Sequence, residues 1–561
     1  MSATERKFGY VKVLNEMGIS HFPTEDDTDE TSTLLIRTAM LPALVESMPC
    51  KSCRQCSVTI RVVNCELGMV CCLECVCTSC GEVNGSTKTS ETIADSKSHV
   101  VVRSAVSATM DMGVGHAGLV KFCRYLDMPV MHHSTYHSHV KIITAASMQV
   151  ANDVICEAAE TVRTVHRELD PSIDTSDVID LTVSFDGSWM TRGHKSLYGI
   201  GCVVEVVTGL VIDFAIVSLY CHMCACAASR YGGKHTRDFK RWHNTHKDCN
   251  INYVGNSGAM EVEAAEILWS RSMDKHNFRY TTVLSDGDSR TYKRLCDLDV
   301  YDGIPITKEE CVNHVGKRMS TALRNLTKEK KKTGVTLGGR GHGKLTGDAI
   351  DKLTYYYSNA IRSCTGDADA MRNAVFASFF HAISTDEDPH HDRCPVGPGS
   401  WCFFQKARAK GEEPGPHKEN IKTPLSRDVA EEVKNAYIRL GHPDLLRRCL
   451  TGGTQNANES LHAKVWRKCP KTGFVGLQRV IAATCYATAE FNQGFESAVA
   501  RSFAVMGMKV GSHTMASAGK ADAKRLQQSI RQMEQSTQAA RRARKAARAR
   551  AHDESYQAGE F

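Results

Sequence analysis

The sequence predicts an α/β chain of several modules, and three observations carry that reading. Three β-branched and aromatic runs follow one another between Leu181 and Tyr220, separated by turn residues. Helical apolar spacing fills Ile142 to Leu169 and returns in blocks such as Ile350 to Arg362 and Met371 to Ile383. A dense cysteine cluster, Cys50 to Cys80, precedes all of these and carries C-x2-C pairs, the spacing of a small zinc-stapled module.

Taken in order, residues 1–49 are mixed and include an acidic loop, Thr24 to Glu30. In residues 50–82, Cys53, Cys56, Cys77 and Cys80 form two knuckles on either side of the strand-like stretch VTIRVV. Four thiolates so spaced surround one Zn²⁺, as in a zinc ribbon, and the metal is structural. Cys50-x2-Cys53 is an alternative first knuckle. Residues 83–99 contain a Ser/Thr-rich stretch, Asn84 to Lys97, which reads as a linker. A helical module follows over 100–175. Its His132, His133, His137 and His139 read as surface histidines, since no cysteine or acid accompanies them at ligand spacing.

The strands open residues 176–333. Leu181 to Phe185 ends on Asp186-Gly187, a pair that reads equally well as a turn. Val203 to Val207 and Val211 to Val217 are joined by Thr208-Gly209, a hairpin signal. An excursion over 221–249 carries Cys221, Cys224, His246 and Cys249, a closed zinc set that would clip a poorly apolar loop. His243 could replace His246. A helix, Ala259 to Lys275, leads to the strand Arg279 to Leu284, which again ends on carboxylates, Asp286 and Asp288. A strand over Tyr301 to Glu309 and a helix over Cys311 to Leu326 follow. Residues 334–452 read as helical blocks, with His390, His391, Cys394, Cys402 and Cys449 as a possible further zinc group. Residues 453–510 open with a helix whose Asn456 and Glu459 fit a capping box.

Charge is unevenly placed. The formal charge is +7, and six of those charges are Arg541, Arg542, Arg544, Lys545, Arg548 and Arg550, leaving +1 elsewhere. The tail, 511–561, therefore suits phosphate contacts or nuclear import, while the body is near neutral. The most apolar window, Leu197 to Tyr220, is broken by Glu205, Thr208-Gly209 and Asp213, so no membrane span is expected. The N-terminus lacks a secretory h-region, and with 24 cysteines this favours thiols and zinc over disulfides in a soluble, intracellular protein.

Carboxylates from two strands and a helix, such as Asp186, Asp286 and Glu459, can hold two divalent ions about 3.5–4 Å apart, but composition alone does not select Glu459 from the chain's other glutamates. Oxygen-only ligands suit Mg²⁺ or Mn²⁺. The stretches SFDGSW (184–189), YCHMC (220–224), GNSGAMEVEAA (255–265), LSDGDS (284–289), ECVNH (310–314), CPVGPGSWC (394–402) and TQNANESLH (454–462) resemble, in order, the transposases of Mutator-like DNA elements, especially the arthropod type. The likeness runs from about residue 100 to 485. It implies an RNase H-like mixed sheet with a helical insertion before the last acid. It implies a DDE triad at Asp186, Asp286 (with Asp288 as its rival) and Glu459, and a Cys-x2-His pair at Cys311 and His314. It also implies cleavage and joining of double-stranded DNA at terminal inverted repeats, and a homo-oligomer acting on DNA in the nucleus. Water would attack the phosphodiester and free a 3′-OH, which would then attack target DNA. A retained or inactive copy acting as a zinc-containing DNA-binding protein is the alternative.

Overall fold

Val, Ile and aromatic residues mark four of the five strands that pair into one sheet in the computed structural model; the edge strand Thr307–Glu310 is polar. That structure describes residues 32–63, 68–94, 96–191, 195–287, 289–339, 341–471, 473 and 475–536. The strands are β4 (Ile179–Trp189), β5 (Tyr198–Glu205), β6 (Val211–Ser218), β7 (Phe278–Ser285) and β8 (Thr307–Glu310), after three strands of a smaller sheet. Their order is β6-β5-β4-β7-β8. β5 pairs antiparallel with β4 on one side and β6 on the other, whereas β7 and β8 run parallel to β4.

Two expectations change here. Asp186-Gly187 is not a turn: β4 continues through it to Trp189, pairing Asp186 with Cys202 and Gly187 with Gly201. The pairing of β4 with β5 runs unbroken from Val183 to Trp189, so the ladder overrides the dipeptide's turn preference. The eighth strand begins only at Thr307, because Asp302 and Gly303 adopt positive φ and hold the preceding residues in a turn.

Every residue of β5 is buried, as in a sheet covered on both faces. The helix α1 (Met260–Ser270) lies close on β4 and β5. A Cβ on Gly201 would stand 2.7 Å from that of Ala264, so glycine is what lets the helix approach. The expected helix to Lys275 is broken after Ser270 and resumes at Ser272–His276. Trp269 anchors the core: it is fully buried, edge-on to Phe185 and Tyr280, and its Nε1 donates to the Tyr280 carbonyl at 3.1 Å. Trp269→Ala is expected to destabilise this unit by about 3–5 kcal/mol. The denaturant midpoint should fall while the slope stays unchanged. Beneath the hairpin, buried Asp213 is held by Arg271 through two 2.8 Å bonds and by Lys275 at 2.7 Å.

After β8 the chain enters α2 (Val312–Lys332) and a helical block whose core joins Val315, Leu353, Tyr357, Val375 and Tyr437. It then returns through α3 (Asn456–Lys468). Contacts divide the described residues into two compact units, residues 158–462, and residues 32–157 with 463–536. Among the described residues, no helix is long and apolar enough to cross a membrane.

In the second unit β1 (Val58–Val63), β2 (Cys72–Cys77) and β3 (Val83–Lys88) form an antiparallel sheet. The stretch read as a linker therefore starts with a strand, because residues 83–88 find partners along β2. Helices Val100–Asp111, His116–Tyr125 and His133–Leu169 follow, and Leu477–Gln493, Phe495–Val505 and Ser512–Ser536 close the unit's described part.

His132, His133 and His137 are exposed as expected, but His139 is buried. It lies one helical turn before Ile143 on the buried face of its helix. Burial, with Arg103 adding to it, pushes its pKa down to about 4. Since the unfolded value is near 6.5, neutral His139 costs nothing above that pH and destabilises as pH falls from 6.5 toward 4. At pH 5 the loss is roughly 2 kcal/mol. His139→Leu should shrink the fall in melting temperature between pH 7 and pH 5.

Candidate active site and metal clusters

Asp186 lies on β4 and Asp286 follows the end of the adjacent strand β7. Ser184 pairs with Leu284 in that parallel ladder. Each aspartate stands two residues beyond that pair, Asp186 within β4 and Asp286 just past the end of β7. Asp286, Ser285, Glu261 and Thr291 line one cleft with Phe185 and Tyr292. Glu261 reaches it from the first turn of α1, where a Cβ on Gly187 would meet its Cγ at 2.8 Å. Asp288 lies outside the described residues.

The third acid arrives on α3, whose first turn is pinned to the sheet. Asn458, fully buried, donates from Nδ2 to the carbonyls of Ser184 and Cys202, both at 3.1 Å, and accepts from Ser184 Oγ at 2.5 Å. Gln455 Nε2 donates to the Phe185 carbonyl at 2.8 Å, and its amide meets Cys311 Sγ at 3.4 Å. Glu459, the next residue after Asn458, is exposed, and its Oε1 lies 3.5 Å from His314 Nε2. The Nδ1 of His314 is in turn 3.1 Å from Gln455 Oε1. Cys311 donates its amide to the Ser285 carbonyl, so the Cys311/His314 turn sits beside the end of β7. The expected helix begins at Val312, with Cys311 as its cap.

One residue that sequence reasoning missed is His462, one turn after Glu459. It is buried, with Nδ1 3.3 Å from Asp186 Oδ2 and Nε2 3.3 Å from Cys202 Sγ. Burial alone would lower its pKa, but Cys202 and Asp186 outweigh that and raise it to about 10. The i, i+3 spacing of Glu459 and His462 was the available signal. Arg318 lies in the second turn of α2. Its Nη2 would stand 2.7 Å from a Cβ on Gly287, and it pairs with buried Glu310 at 2.5 Å.

The N-terminal cysteines converge in the alternative register, with Cys50-x2-Cys53 rather than Cys53-x2-Cys56 as the first knuckle. Cys50, Cys53, Cys77 and Cys80 bring their sulfurs together, with Cys50–Cys80 and Cys53–Cys77 at 3.6 Å. Cys56 is exposed, its Sγ against the Ser47 carbonyl, and is not a member. The reason is backbone geometry. Cys50 and Cys77 each donate an amide to the carbonyl five residues on and accept from the amide four residues on. Each knuckle then closes through a left-handed residue, Arg54 at φ 63° and Gly81 at φ 77°. Tetrahedral zinc with bonds near 2.3 Å sets its sulfurs about 3.8 Å apart, so the quartet is compatible with structural zinc.

Cys221, Cys224, His246 and Cys249 also converge, with Cys221 Sγ 3.4 Å from His246 Nε2 and Cys224 Sγ 3.6 Å from Cys249 Sγ. The excursion is not an irregular loop: it folds as helices His222–Arg230 and Arg237–Thr245, with Cys221 capping the first. His243 is outside the group and stacks on Phe239. This cluster too is compatible with structural zinc. His391, Cys394 and Cys402 gather with His381, without His390 or Cys449.

The six basic residues between 541 and 550 lie outside the described residues. A family model described as Mutator-like transposase matches residues 36–402. A search of curated proteins finds no match.

Proposed function

Because the chain belongs to the Mutator-like transposase family, we propose that it cuts and joins DNA strands at terminal inverted repeats, using Asp186, Asp286 and Glu459 as its acidic triad. The family implies DNA binding and transposition in general. The observation that carries the finer reading is the register of Asp186 and Asp286 on neighbouring parallel strands, with the Glu459 helix pinned to the same strands by Asn458 and Gln455. Strand order supports an RNase H-like sheet: three antiparallel strands, then two parallel to the first, with helices between β8 and the last acid.

The donors are carboxylate oxygens, which fit Mg²⁺ or Mn²⁺. When bound, such ions would stabilise charge on the attacking and leaving oxygens of an in-line displacement. The chain's own residues prepare that site. His462 holds Asp186 in one orientation from a buried position, and His314 does the same for Glu459. Arg318, beside Gly287, offers a fixed cation to a phosphate next to Asp286. Water attacks first and frees a 3′-OH, which then attacks the target strand. The cysteine-rich modules and the basic tail supply further DNA contact, and action in the nucleus as a homo-oligomer belongs to the same reading.

The test uses the purified full chain on plasmid DNA carrying the sequences that flank its gene. Nicking at discrete ends in Mg²⁺ or Mn²⁺ is expected. Specific retention of that DNA with no nicking over a range of divalent ions would instead assign a DNA-binding role. Asp288→Asn resolves the second position: activity should survive it and be lost in Asp286→Asn.

A further inference from the structure

The third cluster lies inside the helical block and no part of the proposed chemistry uses it. His381, His391, Cys394 and Cys402 are all buried, and their ligand atoms lie within 4.8 Å of one another. His391 Nδ1 is 3.4 Å from Cys402 Sγ and 3.8 Å from Cys394 Sγ, and His381 Nδ1 is 3.8 Å from Cys394 Sγ. Around tetrahedral zinc, a sulfur at about 2.3 Å and a nitrogen at about 2.05 Å stand roughly 3.6 Å apart. The separations match.

The surroundings point the same way. His417 Nδ1 lies 2.6 Å from Asp386 Oδ1, and the His417 amide donates to the same oxygen. With its proton held there, His417 presents Nε2 as an acceptor, 2.9 Å from His391 Nε2. This assigns the His391 proton to Nε2 and leaves the Nδ1 lone pair aimed at the two sulfurs. A carboxylate-backed chain that fixes a ligand's tautomer is the usual outer support of a metal-bound histidine. Cys402 caps the helix Phe403–Lys410 and accepts the Gln405 amide at 3.5 Å, which favours the thiolate. Phe404 stacks on His391 with ring centres 4.5 Å apart, and Trp401 packs edge-on to His381 at 4.9 Å, so the cluster is shielded from water.

We infer that His381 Nδ1, His391 Nδ1, Cys394 Sγ and Cys402 Sγ bind a structural Zn²⁺ separate from the two cysteine-rich quartets. The ion ties the loop between residues 384 and 402 to the end of the helix Ala368–Ile383. Without it, the block between Ile383 and Phe403 has no regular element, and a loop of that length is hard to hold by packing alone.

The experiment is zinc stoichiometry of the purified full chain by elemental analysis. Wild type should carry three zinc ions per chain and C394S/C402S should carry two. An equal zinc content in the two proteins overturns the assignment, whatever the total. His417→Phe removes no ligand and guards against a misfolded double variant. It should still bind three ions, but release one to a competing chelator with an affinity reduced 10–100-fold. Release of all three with wild-type affinity would also overturn it.

Discussion

Asp186→Ala is expected to lower divalent-metal-dependent strand cleavage by at least about 1,000-fold, with retention of DNA little changed. Its carboxylate stands at the centre of the sheet, on a strand with hydrogen-bonded partners on both sides. Losing one ligand of a metal pair removes several kcal/mol of charge stabilisation, and each 1.36 kcal/mol is a factor of ten in rate. Asp286→Ala and Glu459→Gln should act alike, since the three groups work as one unit and losses within such a unit do not add. Gel retention of the gene's flanking DNA, measured beside nicking, separates lost chemistry from lost binding. Full activity in any one variant removes that residue from the triad.

The second large effect concerns the N-terminal quartet. The small sheet has a slight core, with Val45, Cys50, Val58 and Cys77 its buried members. A structural zinc contributes about 10–16 kcal/mol of apparent binding free energy in small domains, far more than those few side chains can. Treatment with a strong chelator should therefore open Cys50 to Lys88 to proteolysis and amide exchange, while the sheet around Trp269 keeps its protection. Cys53→Ser should reproduce the change without chelator, and Cys56→Ser should not. Equal protection of residues 50–88 with and without chelator would exclude a metal-dependent fold there.

Much of this was legible in the sequence, for physical reasons that differ from place to place. The β-branched runs named β4, β5 and β6, because strand pairing depends on patterns a few residues long. The Asp286 strand end was found in the same way. The Cys50 register was harder to see, since its left-handed position is filled by Arg54 rather than by the glycine that marks the partner knuckle at Gly81. His462 and His381 went unnoticed because their meaning comes from partners 276 and 13 residues away, Asp186 and Cys394. Asn458 lies in the family-like stretch 454–462, but nothing in that stretch marks it as the residue that fastens the helix to the sheet. Its role exists only because two strand carbonyls face it in the folded chain.

Asn458 also has a consequence for the order of events during synthesis. The ribosome delivers both aspartates long before residue 459, and the helical block must be made in between. The clasp of Asn458 and Gln455 on β4 and β5 can close only after that block has emerged. A chain that ends before residue 459 therefore holds the two aspartates without Glu459.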